Sequence, residues 1–134
     1  MHPKIEDLIR RDPRYPLEAY EFVFSALAHT QRMLGRRASL EPGREDEHHV
    51  SGPQLLDGAR DLALREFGLM ARVVFEFWGI HRTADFGEIV FNLIAAGLMS
   101  KTERDDRRDF HDVYDLDEVL SDYRIELPQE AEEA

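Results

Sequence analysis

Residues 83–98, Thr83-Ala84-Asp85-Phe86-Gly87-Glu88-Ile89-Val90-Phe91-Asn92-Leu93-Ile94-Ala95-Ala96-Gly97-Leu98, decide how the fold is read. Thr83 and Asp85 suit the start of a helix, and Gly97 suits its end. Between them Phe86, Ile89, Val90, Leu93 and Ile94 recur at helical spacing. Apolar residues occupy more than one side, which places this helix near the centre of a core. Gly87 sits inside it, where glycine costs about 1 kcal/mol relative to alanine. A glycine there predicts the close approach of a neighbour, with Trp78 or Phe77 as the ring across the Gly79 turn.

Upstream of this segment the pattern is helical throughout. Pro3 to Arg10 carries Ile5, Leu8 and Ile9 on one face. Leu17 to Leu34 places Leu17, Tyr20, Phe24, Leu27 and Leu34 at helical spacing, with Pro16 suited to the first turn and Gly35 to the position past the end. Residues 36–50 read as an exposed loop. Ser51-Gly52-Pro53-Gln54 reads as a capping box, in which serine and glutamine satisfy each other's backbone donors. The helix it opens carries Leu55, Leu56, Ala59, Leu62, Ala63 and Phe67. Gly68 permits a break before the apolar stretch from Leu69 to Trp78.

Downstream the texture changes. Leu98 to Lys101 suggests a short strand, Thr102 to Asp109 a charged turn, and Phe110 to Tyr114 a second strand rich in strand-forming residues. Asp115, with Glu118 three residues on, could cap a last helix from Leu116 to Leu120. The order helix, helix, turn, helix, strand, charged hairpin, strand is that of a winged helix. Gly97-Leu98-Met99-Ser100-Lys101 followed by Asp106-Arg107-Arg108 resembles the wing of MarR-type winged-helix regulators. That resemblance implies a recognition helix ended by the Gly-Leu pair and a hairpin projecting two arginines.

The helix that would enter a DNA groove departs from this expectation. Its polar side chains are Asp85, Glu88 and Asn92, and it carries no lysine or arginine. Carboxylates aimed at phosphates oppose binding. In the wing, Lys101, Arg104, Arg107 and Arg108 are offset by Glu103, Asp105, Asp106 and Asp109. Nucleic acid is therefore the disfavoured partner.

A wider resemblance runs through Tyr15 to Leu27, through His49-Val50-Ser51-Gly52 and Phe67-Gly68 to Trp78-Gly79-Ile80, and through Thr83 to Asn92, Gly97-Leu98 and Val113-Tyr114-Asp115. These stretches resemble a family of conserved hypothetical proteins from planctomycetes, verrucomicrobia and related bacteria. The resemblance implies a stand-alone cytoplasmic bacterial protein. It carries over no activity, cofactor or catalytic residue.

Composition bounds the function classes. The chain has 134 residues, the size of one domain. It has no cysteine, which excludes disulfides, thiolate metal sites and cysteine nucleophiles. No apolar run of about 18 residues suggests a membrane span, and the start lacks a signal peptide's apolar stretch. The expectation is a cytoplasmic protein. The net charge is −11, and after residue 108 ten carboxylates face Arg124 alone. An acidic surface favours solubility or basic protein partners.

Candidate chemistry is sparse. Glu45-Asp46-Glu47-His48-His49 is the single cluster of histidines and carboxylates, so His48 and His49 are the metal candidates. Adjacent histidines in a loop point different ways, however, and a closed site needs three or four convergent ligands. His29 reads as a satisfied, half-buried histidine, His81 as a helix-end residue and His111 as a surface group. Glu76 and Glu88 could pair as acid–base carboxylates, but nothing places them together. No nucleophile or phosphate-loop motif occurs. Phe75, Phe77, Trp78, Phe86 and Phe91 read as core before ligand box.

These readings converge on an α+β, mostly α fold. A helical domain with helices within residues 16–96 has a winged-helix-like C-terminal half, with a short β-hairpin wing at about 98–114. Residues 1–127 form the single domain and 128–134 an acidic tail. The expected function is a small non-enzymatic interaction or regulatory module that binds protein, without cofactor or membrane, with homo-oligomers open. Candidate partner-binding residues are Asp85, Glu88, Lys101, Arg104, Arg107 and Arg108. The alternatives are a transcriptional regulator holding DNA through Arg107 and Arg108, and a small-ligand binder or enzyme with an aromatic pocket.

Overall fold

The computed structural model describes residues 3–38, 50–100 and 106–121. Along them run α1 (Pro3–Arg11), α2 (Leu17–Ala38), α3 (Gly52–Phe67), a 3-10 turn (Gly68–Met70), α4 (Ala71–Phe77), α5 (Thr83–Ala95), a second 3-10 turn (Arg107–Phe110) and α6 (Leu116–Ser121). Residues 39–49 of the expected loop, residues 122–127 and the whole expected tail, 128–134, lie outside the described residues.

Helices α2, α3 and α5 build the centre. The capping box at the start of α3 is present: Ser51 N donates to Gln54 Oε1 at 2.9 Å, and Gln54 N donates to Ser51 Oγ at 3.3 Å. Two bonds among the first turn's orphan donors fix where α3 begins. Gly68, at φ 54°, ends α3 in a conformation that a side chain would resist. Gly35 does not end α2, which continues to Ala38.

Three contacts show α2 and α3 running antiparallel. Phe22 meets Phe67 with ring centroids 6.0 Å apart, His29 meets Asp61, and Thr30 meets Gly58. At the last of these a Cβ on residue 58 would lie 1.8 Å from Thr30 Oγ1, so only glycine lets the helices come this close. Thr30 Oγ1 is itself satisfied, donating to Ala26 O at 2.7 Å. Toward the α4 end, Phe22, Phe67, Phe75 and Trp78 stack at tilted and edge-on angles, and Phe86 of α5 joins through Phe75 at 5.4 Å. As expected for a central helix, α5 buries Phe86, Gly87, Ile89, Val90 and Leu93.

The expected α+β class and β-hairpin wing are corrected. The protein is helical, and no strand occurs among the described residues. Residues 101–105, the middle of the expected wing, lie outside them. Asp106 to Phe110 folds as a helical turn because its own side chains cap it. Arg108 N donates to Asp106 Oδ1 at 2.9 Å, and Asp106 N donates to Asp109 Oδ2 at 3.1 Å. The strand-forming residues that follow are used singly. Phe110 is buried, Val113 N donates to Thr83 Oγ1 at 3.2 Å, and the Tyr114 hydroxyl donates to Leu56 O at 2.6 Å. Backbone donors taken by side chains cannot form a ladder. Asp115 then caps α6, its Oδ1 accepting from Asp117 N and Glu118 N.

Candidate functional site

Helix α4 has too many apolar residues for the one face it can bury. Ala71 and Phe75, one turn apart, point into the core and are 1% exposed. Leu69, Met70, Val73 and Phe77 lie on the other side at helical spacing and stand open to solvent, with Phe77 83% and Leu69 63% exposed. Solvent-exposed apolar side chains are ordinary when scattered, but a contiguous stripe marks a contact surface. The Gly68 break creates this geometry, because the 3-10 turn rotates the stretch so that α3's inward face is not continued.

The rim of the stripe is acidic. Glu76, next to Phe77 on α4, and Glu66, in the last turn of α3 before the Gly68 break, are exposed and make no ion pair among the described residues. The nearby cations are committed. Arg65 Nε donates to Asp61 at 2.7 Å. Arg72 is joined to Asp117 of α6 and donates to Ile80 O at 3.3 Å. The stripe therefore presents hydrophobic surface with a net negative border.

A second assembly holds the polar edge of α5. The Tyr15 hydroxyl donates to Asp85 Oδ1 at 2.8 Å, while Asp85 Oδ2 accepts from the backbone of His81 and Arg82. Asn92 Nδ2 donates to Asp12 Oδ2 at 2.9 Å and to the Tyr20 hydroxyl at 3.2 Å. Arg14 forks onto Asp12, with bonds of 2.8 and 2.7 Å. The Arg14 hydrogen bond outweighs partial burial and holds the Asp12 carboxyl well below the usual carboxylate range. Burial first, and then Asp85, pushes the Tyr15 hydroxyl above its ordinary value. Burial also raises Tyr20. The edge that would have faced a DNA groove is thus bonded to the segment joining α1 and α2.

The candidate partner-binding residues fall into three groups. Asp85, Glu88 and Arg107 are brought together on this edge. Glu88 Oε2 lies 3.7 Å from Arg14 and 3.8 Å from Arg107, whose guanidinium sits over the Phe91 ring at 5.3 Å. Arg108 is turned to Asp106 at 3.0 Å. Lys101 and Arg104 lie outside the described residues, as do the metal candidates His48 and His49. Glu76 and Glu88 belong to separate assemblies. His29 is half-buried, its Nε2 2.8 Å from Asp61 Oδ2. Burial raises Asp61, but the bonds from His29 and Arg65 reverse this and hold it below its ordinary value.

The α4 stripe and the Tyr15–Asp85 bond lie outside the expectations drawn from sequence. The first had a signal in sequence: 69, 70, 73, 74, 77 and 78 are all apolar, more than one face of two helical turns can bury. The second joins residues 70 positions apart and has no local signal. The chain matches no protein-family model, no curated protein and no solved structure. No described helix is long and apolar enough to cross a membrane.

Proposed function

We propose that this protein is a non-enzymatic interaction module that docks a basic, amphipathic segment of another protein on the outer face of α4. The observation that carries the reading is the open stripe Leu69, Met70, Val73 and Phe77, with its aromatic end almost fully exposed. Recognition of a helix in this way uses apolar anchors at helical spacing. Aromatic side chains supply much of the energy at such surfaces. Glu66 and Glu76, without an ion pair among the described residues, in a chain of net charge −11, favour a cationic partner over a second copy of this acidic chain.

The regulator reading depended on a hairpin wing that does not occur among the described residues. The engaged side chains of α5 lend it no support.

A helical peptide with a leucine face and lysine flanks tests the proposal, beside one with the same face and glutamate flanks. Calorimetry should show the lysine peptide binding more tightly, with affinity falling about tenfold or more in Phe77→Ser and falling as salt rises. Equal binding of both peptides, or unchanged affinity in Phe77→Ser, would refute it. Sedimentation showing a dimer lost in Phe77→Ser would assign the stripe to self-association instead.

A further inference from the structure

A concave surface lies at the other end of the core, away from α4. Between the C-terminal halves of α2 and α5 and the first turn of α3 is a cavity of about 330 Å³. That is the lower end of the range that holds small organic molecules. Leu55, Val90 and Phe110 form its buried wall, and Leu27, Ile94 and Leu98 its half-buried sides. The aliphatic sides keep part of their surface accessible to solvent, so a ligand that covers them removes apolar surface from water.

We propose that this cavity binds a small, neutral, mainly apolar molecule. Its charge class follows from the lining. No Asp, Glu, Lys, Arg or His contributes to the lining among the described residues. An ion placed there would lose hydration, and the described lining offers it no charged group in exchange; an anion would also meet the field of a chain of net charge −11. The polar groups are few: Gln31, Ser51 and Ser100. Ser51 Oγ accepts from Gln54 N, which leaves its hydroxyl proton to donate. The arrangement suits a ligand with an aliphatic or aromatic body and a single uncharged acceptor, such as an alcohol or ketone.

The phenylalanines give the cavity its shape. Phe110 meets Phe91 edge-on at 89°, with centroids 6.5 Å apart. Phe110 is also packed against Gly52 and Gly87, so this wall is held before any ligand arrives. A preformed apolar cavity spends little of its binding free energy on ordering.

The test titrates methyl-labelled protein with 1-hexanol, and separately with hexanoate and hexylammonium, by carbon–proton NMR. Saturable shifts are expected at the methyls of Leu27, Leu55, Val90 and Ile94, with Val73 on α4 unmoved. Hexanol should bind about tenfold or more tightly than either charged analogue. Ile94→Trp and, separately, Leu98→Trp should fill the space and weaken hexanol about tenfold. Two filled variants are used so that one unfolded protein does not decide the matter. Absence of saturation, shifts centred on Val73, equal affinity for a charged analogue, or full affinity in a folded filled variant would overturn the proposal. Because α4 and the cavity are separate, loss of hexanol binding leaves peptide docking untouched, and the reverse holds.

Discussion

Phe110 occupies the space that a side chain on Gly87 would need. A Cβ at residue 87 would lie 2.8 Å from Phe110 Cβ and 2.9 Å from its Cγ. The close neighbour is therefore Phe110, from the turn after α5, and neither Trp78 nor Phe77. Its Cβ is fixed to the backbone, so the whole 107–110 turn would have to move. Alanine is the better helix former by about 1 kcal/mol, whereas overpacking costs about 1–3 kcal/mol. Gly87→Ala should lose stability in urea unfolding. A gain would show that the turn yields freely.

The same contact predicts strong coupling. Phe110→Ala removes a ring 3% exposed and should cost about 3–5 kcal/mol. It also removes the ring carbons that crowd residue 87, so Gly87→Ala should cost less in that background than alone. Additive losses in the double variant would assign the clash to Phe110 Cβ, which alanine retains, and not to the ring.

Glycines 58 and 35 should respond oppositely to alanine. At residue 58 a methyl would collide with Thr30 Oγ1 between two packed helices, and Gly58→Ala should cost several kcal/mol, like the larger core perturbations. At residue 35, nothing lies within 4 Å of the added carbon, and α2 continues through the position. Gly35→Ala should stabilise by up to about 1 kcal/mol. Thermal unfolding of the pair checks both signs.

Much of the helical frame is legible in the sequence because its signals are local. Ser51 and Gln54 mark a start, Gly68 and Gly97 mark ends, and the spacing of Phe86, Ile89, Val90 and Leu93 marks a central helix. The wing reading failed where local and distant signals conflict. Phe110 to Tyr114 has strand propensity, yet Phe110 is held by Gly52 and Gly87, and Tyr114 reaches Leu56 O. Tertiary contacts override propensity there. The reciprocal caps of Asp106 and Asp109 have only a short local signal, which a charged turn shares. The stripe on α4 needed the direction of Ala71 and Phe75 before the outward residues could be told from core.

Stability should fall on acidification. An unfolded Asp titrates near pH ~4. Asp12 and Asp61 are held below that value when folded, so folding favours their ionised forms. Their contribution is present above about pH 4 and is lost as pH drops through the lower, folded values. Urea midpoints between pH 7 and pH 3 should fall more steeply for the natural chain than for Asp12→Asn with Asp61→Asn. Burial raises Tyr15 and Tyr114, so stability is also lost in the other direction, as pH rises above about 10. Equal acid slopes in the two proteins would remove these carboxylates as the cause.

Phe75 and Phe77 stand two residues apart on α4, and their substitution separates packing from docking. Phe75 is 1% exposed, with Phe22 and Phe86 rings each 5.4 Å away. Phe75→Ala should cost about 3–5 kcal/mol, the range for a large aromatic removed from a core. Phe77 is 83% exposed, and surface substitutions away from special features change stability by about 0.5 kcal/mol or less. Phe77→Ser should therefore unfold at nearly the natural urea concentration. A loss comparable to that of Phe75→Ala would mean that Phe77 packs within the fold in solution, and the docking face would lose its anchor. Retained stability joined to lost peptide binding would fix its role at the surface, because no change in folding could then account for the change in affinity.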